Sequence, residues 1–383
     1  MESGKSDTSI AKSLLANVQL GLPGTVTKLS AKMRFIDHIA PILKNSGVIR
    51  SLSSLPSLSI RVSGIATAHN TVPAFGGVLY SAGAVRQDLY VNNGSIYQTY
   101  QDSLVDIDEA DDIDISKKLK FVHMEQVYEL LDMIIREEER PQLVVVDTPL
   151  LLERSDEPIE SHEQLYRDYK RCMENINQFW ALHKEHIYPF NPNGLRIVSL
   201  HRSRFGAVFY GLTSNKKHYL IDEIDNHILE NVSNSFDRIK KVGVKKLLHG
   251  VLTRRSRTAA YEYEILTDDN RLEPKSVREL GLINYHFRSG LQTLPFLAEV
   301  IGSKKDWTTE MIDQLTEDII ALFTIDQPKA LPLPLWYATY ALKPITNGAI
   351  LQYYKTQARE MIKNEEVENV WKEEKDLFLG DHK

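Results

Sequence analysis

Two hydrophobic rhythms alternate along the chain. Residues 59–66 (Ser-Ile-Arg-Val-Ser-Gly-Ile-Ala) and 77–86 are rich in β-branched and small apolar residues, with Gly76-Gly77 between them, and predict two strands joined by a turn. A third strand is expected over 95–105, and the acidic stretch 106–114 after it reads as a solvated loop. From Phe121 to Glu138 the period becomes helical. Met124, Val127, Leu131, Ile134 and Ile135 form an apolar stripe, with Glu125, Glu129, Asp132 and Arg136 opposite. Arg140-Pro141 stops that helix. Leu143–Val146 is then a short continuous apolar run, the signature of a strand covered on both faces, and it ends at Asp147.

The order is therefore three strands, a helix, and a strand ending in a carboxylate. A long amphipathic helix is expected over 160–186, strands over 195–200 and 206–212, and a helix over 218–231. Strand-like segments recur at 260–266, 283–287 and 296–301, before a helix over 308–323. Residues 10–47 read as short helical patterns broken by loops, 51–59 as a serine-rich connector, and 364–383 as a charged helix fraying into a tail. The expected organisation is an α/β core over 51–350, a helical N-terminal extension over 1–50, and a C-terminal helix and tail over 351–383. No internal repeat interrupts it.

Composition narrows the class. With 383 residues, 42% hydrophobic and 26% charged, the sequence is that of a water-soluble folded protein. A formal charge of −6 argues against coating DNA by bulk electrostatics, but leaves room for a local basic groove. The single cysteine, Cys172, rules out an internal disulfide and, with scattered histidines, a zinc site. Residues 1–9 are polar, unlike a signal peptide, and no apolar run approaches the roughly 20 residues of a membrane span, so a cytoplasmic protein is expected. No GxxxxGK[ST] loop, GxSxG elbow or dinucleotide glycine fingerprint occurs, so any nucleotide-driven work must come from a partner.

Asp147 carries the first candidate chemistry. A carboxylate at the C-terminal end of a buried strand is placed to reach a ligand crevice, although an Asp before Pro149 also suits an ordinary turn. His201, Arg202 and Arg204 follow a strand. Arg254, Arg255 and Arg257 form a second basic group, with Lys240, Lys241, Lys245 and Lys246 nearby in sequence. Guanidinium groups grip phosphate bidentately, so these suit a DNA surface, while such charge runs also simply solvate one. His69 and His123 border the same region; lone histidines are more often structural than catalytic.

Five segments, in order, resemble the NurA nuclease family over residues 60–345. They are Val144-Val145-Val146-Asp147-Thr148-Pro149-Leu150-Leu151, Ile197–Ser203, Leu252–Arg257, Tyr285-His286-Phe287 with Pro295–Val300, and Leu331–Leu335. The resemblance implies a ribonuclease H-like mixed sheet flanked by helices. It also implies a DNA nuclease that uses Mn²⁺ or Mg²⁺ held by carboxylates, works beside a HerA-type hexameric ATPase and forms a homodimer. Asp147 would then be a metal ligand and His201 and Arg255 catalytic. Arg202, Arg204, Arg254, Arg255 and Arg257 would contact DNA. The helix packing over the strand should supply a second carboxylate, Glu125 in preference to Glu129. The apolar Leu331–Leu335 segment is expected to serve docking. Trp336–Tyr340, which follows it, offers no carboxylate or histidine where the family sometimes closes its site.

One position departs from the family. Gly64-Ile65-Ala66-Thr67-Ala68 matches its first strand, except that Ala66 stands where the family carries a metal-binding Asp. Alanine offers no ligand atom, so the implied metal set of Ala66, Glu125 and Asp147 lacks one member. The chain is thus either a naturally inactive relative or one whose Asp was replaced by design, the retained neighbours favouring replacement. The alternative function is a non-enzymatic, nuclease-like scaffold that regulates a DNA translocase.

Overall fold

The computed structural model describes residues 4–52, 56–74, 77–110, 114–202, 220–225, 227–228, 239, 241–265, 268–269 and 271–362. Three antiparallel strands open the core: β2 (Ser59–Ala74), β3 (Gly77–Asn92) and β4 (Ser95–Ala110). Helix α2 (Ile115–Arg136) then carries the chain back, so that β5 (Leu143–Val146) lies parallel to β2. The pairs Val62↔Leu143 through Ile65↔Val146 set the register. Helix α3 (Glu163–His183) makes the next crossover, and β7 (Arg196–His201) pairs in parallel with β5. Parallel neighbours need such covered crossovers, which explains why β5 is apolar at every position.

The order β4-β3-β2-β5-β7, with α2 following β4 and α3 following β5 along the chain, is that of the ribonuclease H-like fold. Beyond β7 the sheet continues antiparallel through β12 (Phe296–Ile301), β11 (Leu282–Arg288), β8 (Ser256–Thr258) and β1 (Ile49–Ser51). A tenth strand, β9 (Tyr261–Glu262), pairs with β11. The short β6 (Leu152–Glu153) and β10 (Leu272–Glu273) form a separate ribbon.

Alternation within the strands builds two cores. Ile65, Val144 and Val146 face α2 and α3, packing with Met124, Val127, Leu131 and Trp180. Val62, Ala66, Val145 and Val198 face the other way, toward α6 (Thr309–Ala321) and α7 (Leu333–Ala341). A third cluster joins the C-terminal part of α1 (Gly4–Asn45) to α4 (Val244–Val251) through Ile39, Leu43, Leu247 and Val251. Three short or terminal helices, α5 (Lys275–Arg278), α8 (Lys343–Thr346) and α9 (Ala349–Ile362), complete the described residues.

Several expectations are corrected. The N-terminal segment is one 42-residue helix despite Pro23 and Pro41, not short helices with loops. Residues 106–110 are strand, because β4 keeps its pairing with β3 up to Val78↔Ala110. Within the expected helix 218–231, residues 220–225 are irregular: Leu220 bridges Tyr261, and Asp222 is drawn inward by an arginine discussed below. The expected strand 206–212, Arg204, Lys240 and the segment 364–383 lie outside the described residues. No helix among the described residues is long and apolar enough to cross a membrane.

Candidate functional site

β5 ends beside the middle of β2: its last residue, Val146, pairs with Ile65, and β2 runs on to Ala74. The Asp147 backbone N–H donates to the Ile65 carbonyl (3.2 Å), extending the parallel register so that Ala66 stands beside Asp147. Ala66 is fully buried and its side chain belongs to the α6–α7 core. Gly64, one step earlier on the same face, has a packing reason. A Cβ there would lie 2.3 Å from the Pro334 carbonyl carbon, so only glycine admits the start of α7 against β2.

Asp147 is held by one neighbour. Its Oδ2 accepts from the Thr67 backbone N–H (2.9 Å) and its Oδ1 from the Thr67 hydroxyl (3.1 Å). Burial pushes the carboxyl up to about 7; the bonds from Thr67 and from its own N–H pull it down but do not win. No arginine or lysine is among the groups that set its acidity. Thr67 was invisible as a partner in the sequence, since the bond arises only once β2 and β5 are in register.

Beyond Asp147 opens a cavity of about 340 Å³, lined by His69, Thr71, Ser116, Lys120, His123 and Thr148 among others. The two histidines meet there, with ring centroids 5.2 Å apart. His123 Nε2 lies 3.2 Å from the Ala68 carbonyl oxygen. Burial, followed by repulsion from His69, lowers His123 to about 4, so it stays neutral at physiological pH. Burial lowers His69 as well. Lys120 is engaged by Asp156.

The other expected residues are dispersed. Glu125 turns toward α3, where Arg171 donates to both of its oxygens (3.0 and 3.1 Å), and it lines a cleft with Glu129 and Asp132. Desolvation raises Glu125 against the opposing pull of Arg171. His201 is buried at the end of β7 with its Nε2 3.0 Å from Glu299 Oε2. Arg202 lies over the Phe296 ring (4.5 Å) and donates to the Pro328 carbonyl (3.3 Å).

Arg257 is corrected outright. It is fully buried, its Nη1 and Nη2 donate to Asp222 (2.7 and 2.9 Å) and its Nε to Asp313 (2.5 Å), so its donors are committed to the fold rather than to DNA. On the turn before β8, Arg254 is exposed and Arg255 half-buried. Arg288 shapes that approach by donating to the carbonyls of His249 (2.8 Å) and Leu252 (3.0 Å), and Arg255 takes a left-handed φ of 53°. The Leu331–Leu335 segment, expected to dock a partner, is turned inward: Pro334 and Leu335 are buried against β2.

Whether these residues suit a divalent metal follows from their donors. Hard cations take several oxygen ligands, usually more than one carboxylate. Here Asp147 has both oxygens on Thr67, Ala66 has no donor, and Glu125 is tied to Arg171. Among the described residues, no three His, Cys, Asp or Glu side chains are placed to hold an ion. The residues present do not fit the group.

No protein-family model matches the sequence, and no curated protein matches it. Among solved structures, the chain is similar to the NurA nuclease from Sulfolobus solfataricus, at 11% identity and a TM-score of 0.48, over 88% of this chain and 97% of that one. It is similar to NurA with manganese at 10% identity and 0.38, over 86% and 96%. Similarity to human ENDOV is 16% and 0.33, over 83% and 99%.

Proposed function

We propose that this chain is a DNA-binding protein of the nuclease type whose divalent-metal cleavage centre is interrupted at Ala66, and that it works beside a HerA-type hexameric translocase in DNA end processing or anti-phage defence. The observation that carries this reading is the register of β2 and β5, which sets Ala66, in the middle of β2, beside Asp147, just past the C-terminal end of β5. Asp147 remains as a carboxylate with no cation among the groups that set its acidity, the condition of a residue kept for a ligand rather than for a salt bridge. Mn²⁺ or Mg²⁺ held by a full carboxylate set would supply an activated water and neutralise phosphate charge. This chain's own residues do the remaining work. Arg254 and Arg255 meet phosphate oxygens, and the histidine-lined cavity next to Thr148 receives the strand.

The test is Ala66→Asp, assayed with Mn²⁺ on linear duplex and single strands at one salt concentration. The unaltered chain should bind DNA without cutting it, and A66D should cut. Full-rate cutting by the unaltered chain would overturn the reading. A second reading, a scaffold with no latent chemistry that regulates the translocase, is favoured by the engagement of Glu125 with Arg171. On that reading A66D binds DNA and stays inert.

A further inference from the structure

The hairpin between β11 and β12 has the form of a cradle for an anion. Leu291, Gln292 and Thr293 turn three successive backbone N–H groups onto the Asp326 carboxylate, the first to Oδ2 at 2.8 Å, the others to Oδ1 at 2.7 and 3.1 Å. A concave row of backbone N–H groups suits a phosphate oxygen as well as a carboxylate. Gly290 makes the close approach possible, since a Cβ there would lie 2.2 Å from Asp326 Oδ1.

The cradle is also held by bonds that do not involve Asp326. The Thr293 hydroxyl accepts from the Gly290 N–H (2.8 Å) and from the Ser289 hydroxyl (3.2 Å), and donates to the Gly290 carbonyl (3.1 Å). Arg288, only 6% exposed, donates to the carbonyls of Leu291 and Thr293. The same guanidinium holds the His249 and Leu252 carbonyls, so the cradle and the turn bearing Arg254 and Arg255 share one fastening. Asp326 comes from elsewhere. It lies on the connection between α6 and α7, where residues 324–329 are all exposed.

Cations surround this carboxylate. Desolvation pushes Asp326 up, but the N–H groups of Gln292, Leu291 and Thr293, and then Arg254, more than offset it and hold the group below its ordinary value. Arg202 donates to the carbonyl of Pro328, two residues further along the same connection (3.3 Å). Burial lowers Arg202, and no acid is among the groups that set its acidity. We propose that the 289–293 cradle binds one phosphodiester of a DNA strand crossing the Arg254–Arg255 turn, and that Asp326 fills it as an internal stand-in until the strand arrives. The site opens when the connection 324–329 withdraws its carboxylate, so the strand competes with an anion of the chain itself. This rests on the DNA-binding reading above and adds to it a site and a means of regulating it.

The experiment titrates the full chain, Asp326→Ala and Asp326→Asn with duplex and single-stranded DNA over a salt series. With the competing carboxylate gone, D326A should bind about tenfold more tightly. Its log affinity against log salt should steepen by roughly one, the mark of one added phosphate contact. D326N keeps one accepting oxygen for the N–H groups, which guards against a loop that collapses without the aspartate; it should change in the same direction by less. Inorganic phosphate, followed by ³¹P NMR line width, should bind D326A and not the unaltered chain. Gly290→Ala added to D326A should cancel every gain, because its Cβ fills the cradle. DNA bound with unchanged affinity and slope in both Asp326 variants would overturn the proposal and leave the DNA-binding reading standing. A gain that survives Gly290→Ala would overturn it too. Phosphate bound by D326A, with no DNA bound by any of the chains, would overturn the DNA-binding reading and leave the cradle a site for free phosphate.

Discussion

Two carboxylates, half-buried Asp147 and buried Asp222, sit in the same sheet-centred fold and respond to the loss of water in opposite ways. Asp222 is withdrawn from water, which pushes its carboxyl up. The Arg257 guanidinium, the Ala260 backbone N–H and Arg50 more than offset this and hold it below its ordinary value. Asp147 is also withdrawn, but only Thr67 and its own backbone N–H answer, and it rises to about 7. The difference lies in the partners. A carboxylate whose charge is matched inside the protein is a fastening, whereas one left without a cation costs stability, the property on which the proposed function rests.

The largest expected effect falls on the matched site. Arg257→Ala leaves Asp222 buried without its main partner and should destabilise the fold by about 3–5 kcal/mol in urea unfolding. If R257A is nearly neutral, Arg257 is a surface residue and the comparison collapses.

Asp147 should show the reverse sign. Its folded-state acidity lies above the ordinary 3.8, so the folded chain takes up the proton more readily than the unfolded one. Its contribution is then most favourable below about pH 4 and is lost as pH rises toward 7, beyond which it is flat. Asp147→Asn should flatten that slope and stabilise the protein at pH 8, by on the order of 2–4 kcal/mol. Loss of stability at pH 8 in D147N would mean that the Thr67 bonds dominate.

His123 offers a third, smaller probe of the same neighbourhood. Lowered from 6.5 to about 4, it resists protonation in the folded state. Stability from this group is complete above about pH 6.5 and falls away toward pH 4. His123→Gln should remove about 1–3 kcal/mol of that acid sensitivity, read from denaturant midpoints at pH 4.5 and 7.5. An unchanged acid profile would show that His123 already titrates as it does in the unfolded chain.

The smallest effect concerns the surface arginines. Arg254→Ala with Arg255→Ala should leave stability within about 0.5 kcal/mol. Plotting log affinity for duplex DNA against log salt should give a slope shallower by roughly two. An unchanged slope would remove this turn from the DNA surface.

The contrast also explains what the sequence could and could not tell. The apolar run at 143–146 and the stripe from Met124 to Ile135 announced β5 and α2, because each element is specified by its own local pattern. Asp147 was legible for the same reason, standing at the end of such a run. Arg257 looked like its neighbours Arg254 and Arg255. Its burial depends on Asp222 and Asp313, 35 and 56 residues away, and no local rhythm encodes that meeting. Thr67 was hidden likewise, as its bond to Asp147 spans 80 residues and exists only in the folded register. Glu125 was misleading because a helix has two flanks, and the apolar stripe alone does not tell which one α3 will cover.

The central claim is that Asp147 is a half-buried carboxylate with no cation among the groups that set its acidity, beside Ala66, which offers no donor. Titrating ¹³C-labelled aspartate side chains by NMR measures this directly, with D147N to assign the signal. The account predicts a midpoint about 7 for Asp147, and a signal for Asp222 that stays below the ordinary carboxylate range. In Ala66→Asp the new acid and Asp147 should titrate as a coupled pair, since two adjacent carboxylates resist sharing charge. A midpoint for Asp147 near or below 3.8, unmoved by A66D, would contradict it.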